Sequence, residues 1–168
     1  SIAGIFGASG QSCVAGSRLY LHNSIADEFL QRMLEVTASI RIGDPLAEDT
    51  QMGPLVSARQ RDTVMGFIES ASTEGASVVS GGGQLADQGY YVSPTIIADV
   101  SPEMRVMREE IFGPVVCVSR FDDLDAVVKS ANATRYGLAA SVWTRDISAM
   151  HSLARSIKAG TVWGNCHN

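Results

Sequence analysis

A single thiol in a run of small residues is the first feature of this sequence that can do chemistry. Cys13 lies in Gly10-Gln11-Ser12-Cys13-Val14-Ala15-Gly16-Ser17-Arg18, directly before an alternating stretch, Arg18 to His22. A thiol attacks a carbonyl only as thiolate, and only where a substrate reaches it. Gly10, Ser12 and Ala15 leave that room. A glycine-permitted turn also lets backbone N–H groups face the oxygen that becomes negative when a thiol adds to a carbonyl. A lone cysteine is equally compatible with an inert structural role, and the pattern alone leaves both readings open. Cys117 lies in an apolar run and reads as core. Cys166 precedes His167, but consecutive strand positions face opposite ways, so this pair reads as incidental.

The stretch Phe6-Gly7-Ala8-Ser9-Gly10-Gln11-Ser12-Cys13 resembles the cysteine motif of the NAD(P)-dependent aldehyde dehydrogenases. Two further blocks resemble that family in the same order. One is Glu109-Glu110-Ile111-Phe112-Gly113-Pro114-Val115. The other comprises Asn132, Tyr136 to Val142, Gly160-Thr161-Val162-Trp163 and Asn165. The resemblance implies that Cys13 is the nucleophile and that Gln11 and Asn165 position the active site. It also implies that Glu110 hydrogen-bonds the nicotinamide ribose and that Phe112 packs beside the nicotinamide of NAD or NADP. Read without the family, Glu110 is a solvated charge at a helix end and Phe112 a core aromatic. An acid at an electronegative helix C-terminus is mildly unfavourable, which tilts Glu110 toward function. Ala8 departs from the family, where many members carry Asn, and Gly164 replaces a usual apolar residue.

The elements that must position these residues follow from periodicity. Ser24-Ile25-Ala26-Asp27 reads as a capping box, followed by helical spacing at Ile25, Phe29, Met33, Val36 and Ile40 and a stop at Gly43-Asp44-Pro45. A second helix starts at Ser57, with Gln60 three residues on, and places Val64, Phe67, Ile68 and Ala71 on one face. Ala76 to Ser80 reads as a strand, and Gly81-Gly82-Gly83 as a hairpin-like connection, since no helical pattern follows that would make it a phosphate cradle. The whole of 75–89 reads as a loose loop. Thr95 to Val100 is extended. Ser101-Pro102-Glu103 predicts the start of a short helix reaching about Glu109. Val115 to Phe121 reads as a buried strand after the Gly113-Pro114 turn. Leu124, Val127, Val128 and Ala131 mark a helix, Leu138 to Trp143 a strand, Asp146 the cap of a last helix, and Thr161 to Trp163 a final strand. Strands alternating with helices predict a three-layer α/β/α arrangement around a mainly parallel sheet. Residues 1–17 show no period.

With 168 residues, 45% hydrophobic and 18% charged, the chain can build one globular domain, 1–168. The net charge of -5 offers nucleic acid or an anionic membrane no attraction, and no apolar run is long enough to span a bilayer. Three scattered cysteines argue for a reducing, cytoplasmic setting, and scattered histidines against a metal site. The resemblance implies a partial catalytic domain, lacking the cofactor-binding fold and C-terminal arm of a homo-oligomeric enzyme acting on a small-molecule aldehyde. No Gly-x-Gly-x-x-Gly opens a helix, so the isolated chain is expected not to reduce NAD. A CoA-acylating aldehyde dehydrogenase, a related thioester-forming reductase and a non-catalytic binding domain are the alternatives. Ile5, Phe6, Ile111 and Phe112 are expected to form an exposed apolar patch.

Overall fold

A computed structural model describes residues 2–85 and 89–167. In chain order the elements are α1 (Ile2–Phe6), β1 (Arg18–His22), α2 (Asn23–Ala38), α3 (Ala58–Thr73), β2 (Ser77–Ser80), β3 (Thr95–Ala98), α4 (Arg105–Arg108), β4 (Val115–Phe121), α5 (Leu124–Asn132), β5 (Ala139–Val142), α6 (Ile147–Ser156) and β6 (Thr161–Gly164). Four strands form one sheet in the order β1-β4-β3-β2. β1 and β3 both run parallel to β4, with Arg18 opposite Cys117 and Thr95 opposite Val115. β2 runs antiparallel to β3 with an irregularity between Val78 and Ser80. A separate parallel pair, β5-β6, sets Ala139 opposite Thr161. The expected α/β class with a mainly parallel sheet is what the chain forms.

The sheet explains why the middle strands read as unbroken apolar runs. Alternate side chains go to opposite faces, and both faces are covered. Ile97, Val115 and Cys117 join Val64, Phe67, Ile68 and Ala71 of α3 and Val106 and Met107 of α4 in one cluster. Ile96, Val116 and Val118 join Ile5, Phe6, Leu21, Ala26 and Met33 in the other, under α1 and α2. Each of the valines, isoleucines, leucines, phenylalanines and methionines among them contributes about 1.5–3 kcal/mol by leaving water.

Helix termini show where local signals were overruled. α3 begins as expected, with Ser57 Oγ accepting from the Gln60 N–H at 3.2 Å. α2 does not use its Ser-Ile-Ala-Asp box. His22 is its cap, accepting from the Ser24 N–H. The helix stops at Ala38, where Ser39 Oγ donates to the Val36 carbonyl, so Ile40 lies beyond it. Ile25 and Val36 are each 51% exposed, and the buried line is Ala26, Met33 and Thr37. α4 starts at Arg105, because residues 101–104 close a turn through the Met104 N–H and the Ser101 carbonyl. Its first amide donates to Glu74 Oε2. Arg18 makes no ion pair among the described residues. Its guanidinium lies 5.9 Å from the Tyr136 ring centroid. Of the connection 75–89, residues 86–88 lie outside the described residues.

The expected apolar patch is not where the sequence suggested. Ile5, Phe6 and Ile111 are buried, and only Phe112 of that set is exposed. The packing partner is the chain's own sheet, reached through α1 and a tight turn after it. That turn is left-handed at three consecutive residues, Ala8 (φ 50°), Ser9 (φ 55°) and Gly10 (φ 69°). L-residues resist this region, by roughly 1–2 kcal/mol each. Contacts at both ends hold it: the buried Ser9 hydroxyl donates to the Gly53 carbonyl at 2.8 Å, and Gly10 lies flat on the Gly113-Pro114 peptide.

Two measurements follow from this packing. A Cβ at Gly10 would overlap the Gly113 carbonyl oxygen, whereas one at Gly7 meets nothing within 4 Å. In urea denaturation Gly10→Ala should therefore cost at least about 2 kcal/mol, combining overpacking with left-handed strain. Gly7→Ala should stay within about 0.5 kcal/mol of wild type. Ala8→Asn, which suits the left-handed region better, should gain a few tenths to about 1 kcal/mol. Equal stabilities across the three would refute the pinned-turn account. The second concerns Cys117, fully buried, whose thiol is pushed from 9.0 up to about 12 by burial, with the nearby Arg18 cation opposing. The folded chain keeps this proton where the unfolded chain has lost it. The contribution is thus complete below pH 9 and lost as pH rises toward 12, at up to about 1.4 kcal/mol per pH unit. Denaturation midpoints of wild type and Cys117→Ala should converge over that range, and parallel curves would refute it.

Candidate functional site

Cys13 is exposed, on the loop between the left-handed turn and β1. Small residues let this loop fold back on itself. The Ala15 N–H donates to the Ser12 carbonyl at 3.0 Å, and the Gly16 N–H to the Gly4 carbonyl at 2.9 Å. Ser17 then enters the sheet by accepting from the Cys117 N–H. The N–H groups of Ser12, Cys13 and Val14 donate to no acceptor among the described residues. Beside a thiol acting as nucleophile, such unpaired donors would be what a developing oxyanion requires.

Gln11 holds the loop rather than facing it. Its Oε1 accepts from the Val56 N–H at 3.0 Å, tying the turn to the segment before α3. Together with the Ser9–Gly53 bond, this fixes both sides of residue 10 to 53–56. Loop 43–56 thus serves as a brace for the cysteine.

Gly10 joins Cys13 to the second sequence block. It lies on the Gly113-Pro114 peptide, and Gly113 packs against Val64 so closely that a Cβ there would overlap the valine methyl. Phe112, just before, has φ 54° and is 36% exposed. Gln60 Nε2 holds it in that conformation, donating to the carbonyls of Ile111 (3.2 Å) and Phe112 (2.9 Å). Glu110 is exposed and forms no ion pair among the described residues, whereas Glu109 pairs with Arg105 at 3.3 Å. A free carboxylate two residues from an exposed ring is a combination that suits a ligand with hydroxyl donors and a flat face.

Asn165 is placed differently. At φ 55° it follows β6, accepts from the Thr144 N–H at 2.9 Å and donates to the Thr144 carbonyl at 3.0 Å. It closes the turn after β5, and no bond links it to the Cys13 loop. Asn132 also closes structure, joining the ends of α5 and α6 through Ser156 and Lys158. The residue that does approach the cysteine loop from this region is His167, whose ring fills the space a Cβ would take at Gly4 and lies near Gly16. The strand-alternation argument that set it aside does not apply, because β6 ends at Gly164 and the chain turns at Asn165. Ser9 and Gln60 were also missed; a serine and a glutamine bonding distant carbonyls leave no periodic signal. Among the described residues there is no cluster of three or more metal-binding side chains and no helix long and apolar enough to cross a membrane.

The model of the aldehyde dehydrogenase family matches residues 1–168. Betaine aldehyde dehydrogenase of Brucella anthropi is 48% identical over all of this chain, which covers 35% of that protein. Among solved structures, aldehyde dehydrogenase from Bacillus cereus in complex with NAD+ superposes with a TM-score of 0.97 at 41% identity, over 99% of this chain and 34% of that one. An NAD-dependent aldehyde dehydrogenase from Sinorhizobium meliloti gives 0.97 at 37% identity, over 99% and 33%. The chain therefore spans about a third of the length of the relatives it matches, and it belongs to the aldehyde dehydrogenase family.

Proposed function

We propose that this chain is the cysteine-bearing part of an NAD(P)-dependent aldehyde dehydrogenase, with Cys13 as nucleophile. The supporting observation is the backbone contact of Gly10 on Gly113-Pro114, which fixes an exposed thiol relative to Glu110 and Phe112. Cys13 Sγ, as thiolate, adds to the carbonyl carbon of an aldehyde, and the carbonyl π electrons move onto oxygen. The unpaired N–H groups of residues 12–14 are the donors this chain offers to that charge.

The residues present fit the nicotinamide-ribose end of a dinucleotide. Glu110 would accept from ribose hydroxyls, and Phe112, held through its carbonyl by Gln60, would lie beside the ring. NAD(P), when bound, supplies the hydride acceptor for the oxidation. The acyl group then rests on Cys13 as a thioester, and water attacks its carbonyl carbon to release the acid and restore the thiolate. Gln11 keeps the loop in place, and Asn165 closes the turn after β5. Betaine aldehyde is the first substrate to assay, from the names of the relatives. A cytoplasmic homo-oligomer acting on a small aldehyde, with no nucleic-acid or membrane partner, completes the reading; the net charge of -5 agrees with the last two exclusions.

The test is made in the full-length enzyme containing this chain. Cys13→Ala should lower kcat for aldehyde oxidation at least about 1,000-fold, because the covalent path is lost, and leave the Kd for NAD+ within twofold. Glu110→Gln should raise the KM for NAD+ or lower kcat about tenfold while Cys13 keeps its reactivity to iodoacetamide. Unchanged turnover in Cys13→Ala would refute the assignment.

A further inference from the structure

We propose that His167 is a positioning residue for the Cys13 loop. The inference rests on the reading of Cys13 as nucleophile, and its own observations are separate. The loop that presents Cys13 closes where the Gly16 N–H meets the Gly4 carbonyl at 2.9 Å. The His167 ring sits on that closure. A Cβ at Gly4 would lie 2.7 Å from His167 Cδ2 and 3.0 Å from Nε2, so glycine is required there for the ring to fit. A Cβ at Gly16 would lie 3.9 Å from His167 Cε1, ordinary contact. The ring therefore packs on Gly4, the acceptor of the bond that closes the loop, and lies close to Gly16, its donor.

The ring is itself held in place. Its Nδ1 is 2.8 Å from Ser141 Oγ, on β5, and it meets Trp163 of β6 in an edge-type contact, with centroids 5.2 Å apart at 63°. A histidine fixed by a hydroxyl on one side and an indole on another has few rotamers left, so it acts as a wedge rather than a mobile cover. Gly10 on Gly113 fixes the start of the loop, and Gly16 on Gly4 under His167 fixes its end. Cys13 lies between these two fixed points, so the height of its sulfur depends on both.

The experiment reads the closure and the chemistry separately. Hydrogen exchange of the Gly16 amide is followed by NMR in the 168-residue chain for wild type, His167→Ala, His167→Phe and Ser141→Ala. The Cys117 amide, which donates to Ser17 in the sheet, monitors the fold. His167→Ala should speed Gly16 exchange at least tenfold and leave Cys117 exchange within twofold. His167→Phe, which keeps a ring against Gly4, should restore Gly16 exchange to within threefold of wild type. In the full-length enzyme His167→Ala should lower kcat at least tenfold with the KM for NAD+ within twofold, and His167→Phe should recover most of that loss. Wild-type Gly16 exchange in His167→Ala, or faster exchange with unchanged kcat, would overturn the proposal. If His167→Ala also exposes Cys117, Ser141→Ala decides: Gly16 exchange at least threefold faster with Cys117 protected supports the proposal, and no change overturns it. The exchange result does not depend on chemistry at Cys13, so Cys13→Ala tests the nucleophile reading apart from it.

Discussion

The arrangement of this chain depends on one backbone-to-backbone contact, Gly10 against the Gly113-Pro114 peptide. Two loops far apart in sequence can approach this closely only if Gly10 brings no Cβ, and Gly113 is in turn pressed on Val64 of α3, which leaves no room for a Cβ there either. The contact requires Gly10 at φ 69°, and the turn leading into it carries Ala8 and Ser9 into the same unfavourable region. Strain of this kind persists only where the surroundings over-determine it. Here they do, through the Ser9–Gly53 and Gln11–Val56 bonds on one side and the buried Ile5 and Phe6 on the other. The result is an exposed thiol on a loop whose backbone is held by contacts on both sides.

The same logic separates the three cysteines. Cys117 faces the α3 side of the sheet, and burial keeps its thiol protonated. Cys13 and Cys166 are exposed. Cys13 sits on a loop whose two ends are held by backbone contacts, and the N–H groups of Ser12, Cys13 and Val14 donate to no acceptor among the described residues. Environment rather than residue type makes one thiol a candidate nucleophile and another a packing unit.

The sheet and most of its helices were legible because they are periodic. Val115 to Phe121 is a strand with the expected bounds, and the Val64, Phe67, Ile68, Ala71 face of α3 is the buried one. Where competing caps lay close together, local chemistry did not decide: His22 displaced Ser24, and α4 began after Pro102 rather than at it. The motif residues of the site were readable as types. Their relations were not, because Gly10–Gly113, Gln60–Phe112 and His167–Gly4 span long separations and involve carbonyls or bare glycine faces. Ile5, Phe6 and Ile111 were misjudged for the same reason: hydrophobicity says that a residue needs cover, not which part of the chain provides it.

The two parts of the fold differ in how firmly they are built. α2 and α3 each bury several side chains, whereas α5 and α6 bury none, and Leu124, Leu138, Trp143 and Ile147 leave large apolar groups exposed in that part of the fold. Few fully buried contacts mean a lower free energy of local opening. The β5-β6 layer is therefore the less stable unit, held by the Asn132 clasp, the Asn165–Thr144 pair and its own ladder. It also supplies the ring of His167, and Ser141 that orients it, to the base of the cysteine loop. The firm four-stranded sheet thus sets where the loop begins, and the softer layer sets where it closes. Any ligand or protein surface that covers Trp143 and Ile147 would stabilise that layer and tighten the mount of Cys13 without touching the sulfur.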